Sequence, residues 1–257
     1  MTQTQRSSET DAAWERIARA NPYWGVLSHD EFDAIQPGDA RLPAFWATGD
    51  DHVQHVMGVL SRRLEASYRP TIVIDFGCGV GRLLIPFAQI ADEVFGVDSS
   101  PTMRELATKN LRDHGCVNAV IESRLDELGH LKGKVDLVHS TLVFQHIRTA
   151  AGLDLFGELV SLVAPGGCGA VQFFLGRRAP KWRQVVGSAR MRHRSLNILV
   201  NLFHGRLSTE RLPYEMNAYN LKDLLVVLAE AGITDAWVEG VVRDDAVDAM
   251  LYFSKPG

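Results

Sequence analysis

Residues 72–81 read Ile-Val-Ile-Asp-Phe-Gly-Cys-Gly-Val-Gly, and this segment constrains the fold more than any other. The run Ile72 to Ile74 carries no polar residue, as expected of a parallel strand buried on both faces. It ends on a carboxylate, Asp75, followed by glycines at 77, 79 and 81. Glycine allows a positive φ and lets a ligand approach the backbone without meeting a Cβ. The stretch from Val80 to Gln89 then has a helical pattern, with its first N–H groups facing the loop. Strand, glycine turn and helix N-terminus together predict a nucleotide site of Rossmann type.

A second apolar segment, Glu93-Val-Phe-Gly-Val-Asp98, closes on a carboxylate placed about 20 residues past the loop, where a ribose-binding acid belongs. Dinucleotide sites use G-x-G-x-x-G, whose third glycine clears room near the pyrophosphate. Here the spacing is G-x-G-x-G, and Arg82 stands at the third position. A carboxylate before the loop suits a ligand bearing an ammonium group better than one bearing a pyrophosphate. An NAD-dependent oxidoreductase is therefore the reading least favoured.

With these residues the chain resembles the class I S-adenosylmethionine (SAM)-dependent methyltransferases, whose first motif is matched by Asp75-Phe-Gly-Cys-Gly-Val-Gly81. Val135-Asp-Leu-Val-His-Ser140 and Val143-Phe-Gln-His-Ile147 resemble the fourth strand of that family and the loop after it. Leu162-Val-Ala-Pro-Gly-Gly-Cys-Gly-Ala-Val171 resembles the turn into its fifth strand. The resemblance covers about residues 70–175, with motifs in the family's order and spacing. It implies a doubly wound α/β fold with a mostly parallel seven-stranded sheet and an antiparallel last strand.

The pattern along the chain predicts strands near 71–76, 93–98, 117–122, 135–140, 168–175, 234–242 and 247–254. Helices are expected near 80–90, 100–114, 150–163 and Leu221–Ala231. Before this domain, 70–257, lies an N-terminal helical extension, 1–69. Residues 1–10 are polar and expected to be disordered, and Asp11–Ala20 reads as a helix stopped by Asn21-Pro22. Asp50 or Asp51 could cap a helix running to Tyr68. This extension is expected to pack over the mouth of the cofactor site. A lid-like insertion at 176–219 breaks the alternation, and from Gly176 to Thr209 it contains no Asp or Glu. Its Arg177, Arg178, Lys181, Arg183, Arg190, Arg192, Arg194 and Arg206 could hold an anionic acceptor. The alternatives are a solvated, flexible loop and a lipid or nucleic-acid surface.

The resemblance also implies site residues. The backbone of Gly77, Cys78, Gly79 and Gly81 would support the methionine part of SAM, and Asp75 its ammonium. Asp98 would take the ribose hydroxyls, with Ser99 beside it, since a carboxylate accepts two hydrogen bonds and donates none. Met103 could cover the adenine, or could be plain core packing. The third motif departs from the family: Arg124 stands where many relatives have an Asp. The adenine contact would fall to Asp126 or to backbone of Arg124 and Leu125. Ser140 and Gln145 would line the pocket. His146, just beyond the fourth strand, could serve as a general base for a hydroxyl acceptor, or could be structural. His139 is expected to be structural.

The chain is net acidic, with 27 Lys and Arg against 31 Asp and Glu, and this argues against a nucleic-acid partner. No apolar run reaches the roughly 20 residues of a membrane span, and no signal-peptide pattern opens the chain. Cys78, Cys116 and Cys168 lack metal-ligand spacing and read as reduced thiols of a cytoplasmic enzyme. No metal is expected. The function expected is methyl transfer from SAM to a small-molecule acceptor, which could be anionic, with a hydroxyl of a sugar or glycan intermediate favoured. That preference rests on the resemblance of Phe45-Trp-Ala-Thr-Gly49 to enzymes that accompany glycan biosynthesis. An N-methyltransferase of an amino sugar or other small amine is an alternative, as is an inactive SAM-binding regulatory protein. The oligomeric state is not legible.

Overall fold

The computed structural model describes residues 3–36, 38–64, 68–178, 216–243 and 246–257. Seven strands form one sheet in the order β3-β2-β1-β4-β5-β7-β6. They are β1 (Ile72–Phe76), β2 (Glu93–Val97), β3 (Ala119–Glu122), β4 (Val135–Ser140), β5 (Val163–Arg177), β6 (Asp235–Arg243) and β7 (Ala246–Ser254). The first five run parallel, and β7 is antiparallel to both of its neighbours, β5 and β6. This is the Rossmann-like arrangement expected, and the order reverses between β1 and β4. Open α/β sheets bind ligands beyond the strand C-termini at such a switch point.

Each face of the sheet is covered by helices because β1, β4 and β5 are apolar on both sides. On one face Ile74, Val138, Val171 and Phe253 pack against α6 (Thr149–Leu162) and α7 (Leu221–Glu230). On the other, Val73, Leu137 and Tyr252 pack against α3 (Leu42–Arg63) and α4 (Leu84–Ile90). Helix α5 (Pro101–Asp113) follows β2, and the Ser100 hydroxyl caps its N-terminus by accepting the Met103 N–H. An accepting hydroxyl at that position satisfies an N–H left over by the helix start.

The N-terminal elements differ from expectation in their limits. Helix α1 spans Gln3–Ala20 rather than starting at Asp11, in keeping with the absence of glycine and proline up to Asn21. Helix α2 (Pro22–Val26) follows at once. Helix α3 begins at Leu42, not after Asp50, and ends at Arg63. Pro43 sits in its first turn, where the missing N–H has no helical partner to lose. A third apolar cluster joins these elements to the sheet domain: Ala18, Tyr23, Leu27, Phe32 and Phe45 enclose Val80 and Met103.

Phe156 is fully buried at the centre of the first face, with ring centroids 5.1 Å from Phe173 and 5.9 Å from Phe253. Phe156→Ala should lower stability by about 3–5 kcal/mol in urea unfolding. Val117, almost wholly exposed, should tolerate alanine with a change of less than about 0.5 kcal/mol.

Candidate functional site

The glycine loop joins β1 to α4. Gly77, Gly79 and Gly81 have φ of 78°, 54° and 86°, values that other residues adopt only with strain. Both the Gly77 and Cys78 N–H groups donate to the Val97 carbonyl, at 2.7 and 3.0 Å. The Gly79 N–H donates to Asp98 Oδ2 at 2.9 Å, and the Gly81 N–H to the Cys78 carbonyl at 3.0 Å. The loop's amides are thus engaged within the protein. Helix α4 starts at Leu84, four residues later than the sequence pattern suggested, and the Ile85 N–H reaches back to the Gly81 carbonyl at 3.3 Å. A pyrophosphate needs free N–H donors, and these four amides do not offer them.

Carboxylates dominate the loop's surroundings. Asp98 is half-buried and accepts N–H bonds from Gly79 and Ser100, one on each oxygen. Burial raises its carboxyl above the usual range, while those two bonds and the nearby Arg104 oppose the shift. Each oxygen keeps lone-pair capacity for a further donor. Ser99 is exposed beside it, its carbonyl accepting from Arg104. Cys78 turns its thiol inward behind the loop, where a Cβ on Gly96 would meet Sγ at 2.9 Å, and burial pushes the thiol well up. Met103 is buried in the third apolar cluster, which favours its packing alternative. Leu125 is likewise buried in the core, and exposed Arg124 pairs with exposed Asp126 at 3.0 Å.

Asp75 lies on β1 opposite His139 of β4. Its Oδ1 is 2.8 Å from His139 Nδ1, and His139 Nε2 is 2.9 Å from His52 Nε2 on α3. Asp75 and His139 are buried; His52 is half-buried. Burial, and then the charges of His139, Arg82 and His55, hold the His52 imidazole down at about 2. Arg82 turns under the loop, its Nη1 donating to the Thr48 carbonyl at 3.1 Å, and burial lowers its guanidinium to about 10. Gly49 permits this, because a Cβ there would meet the Arg82 carbonyl at 2.4 Å.

The segment after β4 completes the site. Ser140 is buried and donates to the Phe76 carbonyl at 2.8 Å, tying β4 to the start of the loop. Leu142 has a φ of 63°, a left-handed conformation rare for leucine. Gln172 Oε1 holds it there by accepting from the Leu142 N–H at 3.2 Å and from the Thr141 hydroxyl. Backbone strain of this kind persists only when neighbours enforce it. Val143 then rests on Gly77, where a Cβ would meet it at 2.1 Å. Gln145 Nε2 is 3.0 Å from His146 Nε2, and the Gln145 carbonyl accepts the Asn217 N–H.

The N-terminal helices close on these residues. Val26 covers Gly79, Trp14 meets the His146 ring with centroids 4.7 Å apart, and Glu15 reaches α5. Glu15 accepts the Ser100 hydroxyl at 2.6 Å and the Thr102 hydroxyl at 2.7 Å. Sequence reasoning missed Glu15, His52 and Gln172, since each acts through a partner distant in the chain. Of the basic insertion, residues 179–215 lie outside the described residues, so the proposed cluster Arg190, Arg192 and Arg194 has no structural account. Among the described residues no group of His, Cys, Asp or Glu could hold a metal ion, and no helix is long and apolar enough to cross a membrane.

Residues 73–167 match the family described as "Methyltransferase domain". A ubiquinone biosynthesis O-methyltransferase of Brucella anthropi is 27% identical over 192 residues, covering 72% of this chain and 73% of that protein. The crystal structure of magnesium protoporphyrin IX methyltransferase from Synechocystis PCC 6803 with bound SAM superposes with a TM-score of 0.56 at 20% identity. That match covers 94% of this chain and 97% of the other. A Haemonchus contortus phosphoethanolamine N-methyltransferase gives a TM-score of 0.57 at 14% identity, over 79% of this chain and 53% of the other. At these identities the two structures show a shared fold.

The Glu15 contact should make cap docking sensitive to pH. Although burial opposes it, the hydrogen bonds from Ser100, Thr102 and Arg19 hold its carboxyl down at about 2, below its ordinary 4.5. A depressed carboxyl stabilises the folded form above the unfolded value and loses that contribution as pH falls towards the folded one. Hydrogen-exchange protection of residues 11–20, taken relative to the unfolded chain at the same pH, should therefore fall between pH 4.5 and 2 and should already be reduced at pH 7 in Glu15→Gln.

Proposed function

We propose that this chain, whose residues 73–167 match a methyltransferase domain, is a class I SAM-dependent methyltransferase that methylates a hydroxyl of a small-molecule acceptor, a sugar or glycan intermediate being the class tested first. SAM supplies a methyl group already activated on a sulfonium. The residues present fit this cofactor on electrostatic grounds: the loop's amides are engaged, while Asp75 and Asp98 surround it with carboxylates. An ammonium and a ribose diol are matched by that donor-poor, acceptor-rich setting.

In this reading Asp98 accepts the ribose hydroxyls on its remaining lone pairs, and Asp75 accepts from the ammonium. Displacement at a methyl carbon depends on holding the acceptor atom about 3–3.5 Å away and in line. Trp14, Val26 and Val143 enclose that volume with apolar surface and keep water from competing. An oxygen acceptor must also lose a proton, and His146 is the group we assign to take it.

The observation that carries the hydroxyl assignment is His146 itself, half-buried in the turn after β4 at the C-terminal edge of the sheet. Its Gln145 neighbour fixes the ring without adding a charge. The 27% identity to an O-methyltransferase supports the same choice.

Two measurements test it. Asp98→Ala should weaken SAM binding in calorimetry by about 2–4 kcal/mol through loss of two bonds to a charged acceptor; an affinity within twofold of wild type removes Asp98 from the ribose. His146→Ala should lower kcat by roughly 10²–10⁴-fold with SAM affinity unchanged. A base must be neutral to accept a proton, so wild-type turnover should fall on acidification. A flat pH profile with near-normal turnover in the variant would indicate an amine acceptor instead.

A further inference from the structure

Asp75 and His139 form a buried polar pair on the face of the sheet under α3. Val73, Leu137, Leu84 and Phe87 surround the pair, and the Phe87 ring lies 5.3 Å from the His139 ring. A hydrocarbon at position 139 would leave the buried Asp75 without this donor. Burying polar groups is tolerated only when each is hydrogen-bonded. His139 is bonded on both ring nitrogens, to Asp75 and to His52.

The proton positions follow from the carboxylate. An ionised Asp75 can only accept, so His139 Nδ1 carries the hydrogen directed at Oδ1. The other ring nitrogen, Nε2, lies 2.9 Å from His52 Nε2, so one hydrogen is shared between the two rings. That requires His52 to be neutral, in accord with its strongly lowered proton affinity. The chain His52–His139–Asp75 therefore fixes one carboxylate oxygen. The carboxylate cannot rotate without breaking the bond, and Oδ2 is left as the oxygen for a ligand. The groups packed around this chain are Arg82 beneath the loop and His55 one turn along α3.

The geometry points to His139 and His52 as positioning residues that aim Asp75 at the cofactor's α-ammonium, so that affinity for the amino-acid end of the ligand is set from under the sheet. This rests on the reading of Asp75 as the partner of that ammonium. It makes a distinction that a structural role does not: the relay should matter for ligands with the amino-acid tail and not for those without it.

The test uses calorimetry on the full chain with S-adenosylhomocysteine and with 5′-methylthioadenosine, which keeps the nucleoside and sulfur but lacks the amino-acid group. His139→Leu should weaken S-adenosylhomocysteine at least tenfold while methylthioadenosine stays within twofold. His139→Asn, whose amide can place an N–H near the position of Nδ1, should restore S-adenosylhomocysteine to within threefold of wild type. His52→Leu, at a half-buried helix position, should weaken S-adenosylhomocysteine at least threefold and leave methylthioadenosine unchanged, and it decides the matter if His139→Leu does not fold. Equal weakening of both ligands, or no weakening of either, overturns the positioning role. Wild-type protein that binds neither ligand overturns the SAM reading itself, a result separate from the behaviour of the variants.

Discussion

The Val97 carbonyl accepts two consecutive N–H groups, those of Gly77 and Cys78, and the adjoining Asp98 accepts that of Gly79. This hook from the end of β2 into the glycine loop is the constraint on which the rest of the site depends. It can form only if β1 and β2 are parallel neighbours in the observed register, Phe76 opposite Val97. It also demands positive φ at Gly77 and Gly79. Once made, it engages the N–H groups of Gly77, Cys78 and Gly79 and sets Asp98 against the loop.

The N-terminal helices are coupled to the same hook. Gly79 has no Cβ, so Val26 can lie against it, and Glu15 binds the first turn of α5 immediately after Asp98. Apolar closure and a carboxylate at a helix N-terminus act together, the second favoured by the partial positive charge there. The cap therefore contacts both ends of the loop and the His146 ring through residues spread over α1 and α2.

The parallel strands and the glycine loop were legible because they are local patterns: uninterrupted apolar runs, glycines at alternate positions, a carboxylate at each strand end. The start of α3 was not, since Asp50 and Asp51 resemble a cap while the actual start, at Leu42 before Pro43, carries no side-chain cap bond. The α4 start failed for a related reason: glycines at 79 and 81 keep the chain in turns until Leu83, although the apolar spacing from Val80 is helical. Met103 had two readings that spacing alone cannot separate, and its burial in the cap cluster favours packing. Glu15, His52 and Gln172 gave no sequence signal, because their partners lie 85, 87 and 31 residues away.

His139 is the instructive case. Read along β4 it is a polar interruption in a buried strand, and its structural assignment follows from that. Across the sheet it stands beside Asp75, and α3 brings His52 to its other nitrogen. A parallel sheet places neighbouring strands' residues side by side at the same height, so a carboxylate one step below the loop necessarily faces whatever β4 carries there. An apolar neighbour would leave that carboxylate without a donor in a buried setting, at a cost of about 1–3 kcal/mol. Histidine supplies the donor and retains a second nitrogen that must itself be satisfied from α3. The identity of a residue in the N-terminal extension is thus tied to the first motif through the sheet. The extension meets the loop on one side through Val26 and the Asp75–His139 pair on the other through His52.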